Sequence, residues 1–140
     1  MRRAFRSCRL LVLFALGGLT AAGCGGGGAR PKGQLLTDGQ PYKLVDGESV
    51  AVTFNSTEPG KGSAAATVAQ DGSFTIQGDG LQSGSYMISV LSTNTNSEEK
   101  YRDKFNNAFN GASSPLKVDI GPESSPTIDI DLGKKTATKK

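Results

Sequence analysis

Val50-Ala51-Val52-Thr53-Phe54 alternates large apolar side chains with small or polar ones. A period of two is the pattern of a strand with one face buried and one face wet. The same alternation returns at Phe74-Thr75-Ile76, Tyr86-Met87-Ile88-Ser89-Val90, Leu116-Lys117-Val118-Asp119-Ile120 and Ile128-Asp129-Ile130-Asp131-Leu132. Weaker patterns at residues 34–37 and 63–69 bring the expectation to about seven short strands. Four Asp-Gly pairs punctuate them: Asp38-Gly39, Asp46-Gly47, Asp71-Gly72 and Asp79-Gly80. Such pairs favour tight turns because both positions tolerate positive φ. The pair at Asp71-Gly72 lies between two strand patterns and predicts a hairpin. No long 3.6-residue period competes, so the expected fold is all-β, an antiparallel β-sandwich.

The chain has 140 residues, 36% hydrophobic and 6% aromatic, which allows one domain with a modest core. It contains no His, which removes the commonest general base and the commonest zinc ligand. Ser-His-Asp, Cys-His and His-based metal chemistry are thereby excluded. The formal net charge is +3, but the distribution matters more. Residues 33–133 hold 6 basic and 13 acidic side chains, so the folded part is acidic and nucleic acid is not an expected partner. Lys134, Lys135, Lys139 and Lys140 form a short basic tail. Its ordinary reading is a disordered, solubilising end. The other is contact with anionic lipid heads or wall polymers.

Residues 92–114 carry no strand pattern, which is long for a loop in a compact domain. Residues 98–105 could make a short helix, with Tyr101, Phe105 and Phe109 spaced i, i+4, i+8 on one face. That face either caps the sandwich or offers an aromatic stripe to a carbohydrate or other small ligand.

The N-terminus reads as an address. Arg2, Arg3, Arg6 and Arg9 precede an apolar run over residues 10–19, followed by Thr20-Ala21-Ala22-Gly23-Cys24. A basic start, a short apolar core and small residues match an export signal. A run of about ten residues is too short to span a bilayer, which needs roughly 20. Residues 25–28 are four glycines, the composition of a flexible tether. The small-residue stretch ending in Cys24 resembles the lipobox of bacterial lipoproteins. The resemblance implies transfer of a diacylglycerol to the Cys24 thiol, cleavage before Cys24 and acylation of the new amine, as by palmitate, leaving no thiol for a disulfide. Cleavage at an Ala-x-Ala-like site by ordinary signal peptidase is the alternative. The expected organisation is a signal peptide at 1–23, a lipidated Cys and tether at 24–32, a sandwich at 33–133 and a disordered basic tail at 134–140.

A wider pattern spans the folded part: Gly33, Asp38-Gly39-Gln40-Pro41, Val50-x-Val52-x-Phe54, Asp71-Gly72-Ser73-Phe74 and Gly84-Ser85-Tyr86-Met87-Ile88-Ser89-Val90. In this order the motifs resemble a carboxypeptidase regulatory-like domain, one of the transthyretin-like sandwiches. With Ser114-Pro115-Leu116-Lys117-Val118 and Ile128-Asp129-Ile130-Asp131-Leu132, they also resemble small exported lipoproteins of the planctomycete type. The resemblance implies a seven-stranded sandwich without catalytic residues or cofactors.

Other constellations are weak. Asp129 and Asp131 share a strand face and could help hold Ca²⁺, but a solvated face that discourages edge pairing is the expected role. Lys43, Glu48 and Asp129 could be cast as an isopeptide set, against the ordinary reading of exposed side chains. The expectation is a non-catalytic, exported, membrane-anchored envelope protein, attached through Cys24 and meeting an envelope protein or a polysaccharide. The alternative is a small-ligand binding module using Tyr101, Phe105 and Phe109.

Overall fold

The computed structural model describes residues 28–96 and 103–140. Cys24, Tyr101, the signal sequence and most of the expected 98–105 helix lie outside these residues. The described chain is all-β, with two sheets packed as a sandwich. One sheet joins β1 (Lys32–Thr37), β2 (Gln40–Pro41), β5 (Ser73–Thr75), β8 (Thr127–Asp131) and β9 (Thr136–Lys139), in the order β2-β1-β8-β9 with β5 also on β1. The other orders β4 (Ser63–Thr67), β3 (Glu48–Ser56), β6 (Gly84–Asn94) and β7 (Lys117–Ile120) as β4-β3-β6-β7.

The alternation does what its period requires. Val50, Val52 and Phe54 point inward from β3, and Tyr86, Ile88 and Val90 point inward from β6. Leu35, Phe74, Ile128 and Ile130 face them from the other sheet. Phe54 and Phe74 meet between the layers with ring centroids 6.3 Å apart. Burial of such side chains contributes roughly 1.5–3 kcal/mol each and is the main stabilising term.

Four features depart from the sequence reading. First, the sheets are not wholly antiparallel: β1 pairs β8 in parallel, Lys32 opposite Thr127 through Leu36 opposite Asp131. The chain leaves β7 beside the start of β6, crosses between sheets and enters β8 at the pole where β1 begins, so the two strands run the same way. Second, Asp71-Gly72 is not a hairpin within one sheet. Gly72 N–H donates to Ala69 O and its carbonyl accepts from Leu35 N–H, and the turn carries the chain from β4 to β5 in the opposite sheet. Third, the segment expected as a disordered tail contains β9, paired with β8 from Ile128 opposite Lys139 to Asp131 opposite Thr136. Fourth, folded structure begins before residue 33. Gly28 N–H donates to Asp79 O at 2.8 Å, and Ala29 forms a bridge to Leu81.

Asp131 is also not solvated. It is 5% exposed and accepts backbone N–H groups from Asp38 at 3.0 Å, Gly39 at 2.8 Å and Lys134 at 3.1 Å. One carboxylate thereby fastens the Asp38-Gly39 turn, where φ is 52° and 82°, to the β8–β9 turn. Burial pushes its pKa up, but the N–H groups of Lys134, Gly39 and Asp38 outweigh that and hold it below the usual range. Asp131→Ala leaves three donors without their acceptor. We expect a loss of about 2 kcal/mol, read as a lower urea midpoint at unchanged m-value.

Candidate functional site

The pole opposite Gly28 holds the densest polar arrangement. It grows from a mismatch in strand length. β6 has 11 residues but β7 covers only Gly84 to Met87, so the rest of that edge needs other partners. The loop after residue 102 supplies them. Ile88 N–H donates to Leu116 O at 2.9 Å and Val90 N–H to Phe109 O at 3.0 Å. Ser92 N–H donates to the Asp103 carboxylate at 3.0 Å, and Lys104 N–H returns a bond to Ser92 O at 3.0 Å. The other Asp103 oxygen accepts Asn107 N–H at 2.8 Å. Asn106 and Asn107 take positive φ of 51° and 62°, so this stretch is a chain of turns rather than a helix.

Glu48 sits beneath that loop. Its side chain is 0% exposed, inward on the parity of Val50, Val52 and Phe54. Oε1 accepts the Tyr42 hydroxyl and the Ser92 hydroxyl, each at 2.6 Å, and Oε2 accepts Val45 N–H at 2.9 Å. Lys104, half exposed from the loop, places Nζ 2.8 Å from the Tyr42 oxygen and 3.2 Å from Glu48 Oε1. Its ammonium also lies 5.2 Å from the centre of the Tyr42 ring. Desolvation pushes the Glu48 pKa up, yet the bonds from Ser92, Tyr42, Val45 and Lys104 prevail and bring it down to about 2. Burial, and then the bond to Glu48, raises Tyr42. Burial alone would lower Lys104, but Tyr42 and Glu48 raise it above the ordinary lysine range.

These shifts define what the cluster can do. Lys104 keeps its proton and is no nucleophile at neutral pH. Ser92 is fully buried and gives its hydroxyl hydrogen to Glu48, so no substrate atom reaches it. The arrangement is a clamp that fastens loop to sandwich.

Two of the three aromatic candidates lie on this clamp. Phe109 is 5% exposed, and Phe105 is partly buried against the core. Phe105 packs edge-on to Phe109 at 5.7 Å and to Tyr42 at 6.0 Å. Lys43 is exposed, and Asp129 is ion-paired with Lys140. Glu48, by contrast, is buried rather than surface-exposed, and its lysine partner is Lys104 rather than Lys43. Its role was signalled by parity: carried back along β3, the inward set reaches Glu48, and carried forward along β6 it reaches Ser92. No family model, curated protein or solved structure matches the chain.

Proposed function

We propose that this chain is a non-catalytic envelope module, held to a membrane by acyl chains on Cys24 and acting through the surface of its sandwich as a structural or protein-interaction unit. The observation that carries the reading is how near to Cys24 the bonded part of the sandwich already extends. Gly28 and Ala29 are already bonded into the sandwich, so at most three glycines separate Cys24 from residues bonded into it. A fully extended chain of that length reaches about 14 Å. The Gly28 pole would therefore rest close to the headgroups and the Glu48 pole would face outward.

The charge at the Gly28 pole supports that orientation. Arg30 and Lys32 are exposed there, and β9 returns Lys139 and Lys140 to the same pole, paired with Glu123 and Asp129. Arg30 and Lys32 would each contribute about 1 kcal/mol beside an anionic leaflet, whereas Glu123 and Asp129 offset the charge of Lys139 and Lys140. The clamp at the far pole supports a structural rather than a turnover role, because its polar groups are spent on one another.

The test is fractionation of the full chain and its Cys24→Ala variant, with intact mass on each. The wild type should sediment with membranes and carry an acyl mass on Cys24, and the variant should be released. Soluble, unmodified protein in both cases would overturn the anchor.

A further inference from the structure

The exposed edges of the two sheets are not equivalent. β7 presents Lys117 and Asp119, and β9 ends on Lys139 and lies alongside β7. β5 is three residues long, and its Ser73 carbonyl is occupied by Ala69 N–H. β4 differs. It reads Ser63-Ala64-Ala65-Ala66-Thr67, with no charge and no proline. Charged side chains, prolines and bulges are the usual protections of an edge.

The direction of its free backbone groups follows from two hydrogen bonds. Val68 N–H donates to Val50 O at 2.8 Å, and Ser56 N–H donates to Gly62 O at 3.2 Å. With the register of Val52 opposite Ala66 and Phe54 opposite Ala64, the even-numbered residues of this strand bond to β3. The N–H and C=O of Ser63, Ala65 and Thr67 therefore point away from it, along an edge that is open among the described residues. Beside that edge the surface forms a groove of about 440 Å³, lined by Ala65, Thr67, Phe74 and Thr75 among others.

The geometry points to β4 as the edge through which two copies of this chain pair, antiparallel, about a twofold axis at Ala65. The sequence is self-complementary about that residue. Antiparallel pairing sets Ala65 opposite Ala65, and Ser63 opposite Thr67 in both directions. The three residues whose backbone groups face outward meet their counterparts, giving three hydrogen-bonded pairs. No charge on the strand faces its own image, and no side chain exceeds threonine. The same patch on both copies is what a closed twofold interface requires. The four-stranded sheets would join into one continuous sheet across the axis. Five residues a side form a small contact, so the pairing is of the weak, reversible class. Confinement on a surface would favour it by raising the local concentration. The inference does not depend on the lipid anchor.

Cysteine trapping in the full chain tests it, with products mapped by peptide mass so that Cys8 and Cys24 are distinguished. Residues opposite each other in a hydrogen-bonded antiparallel pair have Cα atoms about 5.5 Å apart, inside the disulfide range of roughly 4.4–6.8 Å. The Ala65→Cys variant should form a symmetric disulfide between the substituted positions of two copies. It should do so at least tenfold faster than Thr136→Cys on the β9 edge. Ser63→Cys alone should not crosslink, whereas Ser63→Cys with Thr67→Cys should. Ala65→Pro removes only an outward N–H, so it should fold normally and shift the sedimentation dimer constant at least tenfold toward monomer. Equal trapping at 63, 65 and 136 would overturn the pairing. So would an Ala65→Cys product joined to a different protein, or a native chain that is monomeric throughout with no trapping at 65.

Discussion

Gly33→Ala should lower the urea midpoint of unfolding further than any other substitution discussed for this chain. A Cβ on Gly33 would sit 1.7 Å from the carbonyl oxygen of Ile128, far inside contact distance. The obstacle is backbone, so no rotamer change relieves it. Admitting the methyl group requires β1 and β8 to move apart, and that parallel pairing joins the N-terminal strand to the rest of its sheet. We expect a cost above about 3 kcal/mol, at the upper end of overpacking effects, in a domain whose whole stability is on the order of 5–15 kcal/mol. The contrast is Gly60→Ala. Gly60 has φ of 82° but nothing within 4 Å of its added Cβ, so only backbone strain of about 1–2 kcal/mol applies. Urea titrations of both variants check the ordering. Comparable midpoints would mean that the β1–β8 approach is not as close as the structure has it.

Glu48→Ala should have the next largest effect. The substitution leaves the buried Tyr42 and Ser92 hydroxyls and Val45 N–H without an acceptor, and deprives Lys104 of its counter-charge. Lys104 can hydrate, because its side chain is 51% exposed, so the deficit comes mainly from the buried donors. About 3 kcal/mol is the expected loss, or roughly 15 °C in the thermal midpoint for a domain of this size. The pH dependence follows from the same carboxylate. Its folded pKa of about 2 lies below the ordinary value of 4.5, so its contribution is whole above pH 4.5 and fades as pH falls toward 2. The integrated loss is again about 3 kcal/mol. Glu48→Gln should flatten that acid limb while keeping the fold near neutral pH. An unchanged acid limb in the variant would assign the acid loss to other carboxylates.

The strands with strict alternation were legible because period two is local. A run such as Val50 to Phe54 announces its buried face without reference to any partner. β9 was not legible. Thr136-Ala137-Thr138-Lys139 has no apolar alternation, and it is ordered by the ladder to β8 rather than by burial of its own. The parallel β1–β8 pair and the change of sheet at Asp71-Gly72 are long-range choices that a turn signal does not encode. A hairpin and a crossing between sheets both ask for Gly at positive φ, and Gly72, at φ of 84°, meets that demand in the crossing. The aromatic pair Phe105 and Phe109 was found by helical spacing, although the backbone between them is not helical. Four residues bring two rings together through turns as well as through one helical turn. For Glu48 the sequence alone favours a surface charge, because carboxylates avoid interiors. The parity of β3 argued the opposite, and the pairing of β3 with β6 brings Ser92 close enough to donate to it.

The parallel pair has a practical consequence for handling the molecule. Because β1 and β8 both run away from one pole and β9 comes back to it, Gly28 and Lys140 lie at the same pole, with Lys32 N–H on Pro126 O and Lys140 N–H on neighbouring Thr127 O. A short peptide joining residue 140 to residue 28 would close the chain, and new ends could be opened at the exposed turn near Gly60 without breaking a ladder. A fluorescent reporter fused after Lys140 would sit at the Gly28 pole, whereas one inserted at the β8–β9 turn would stand at the opposite pole.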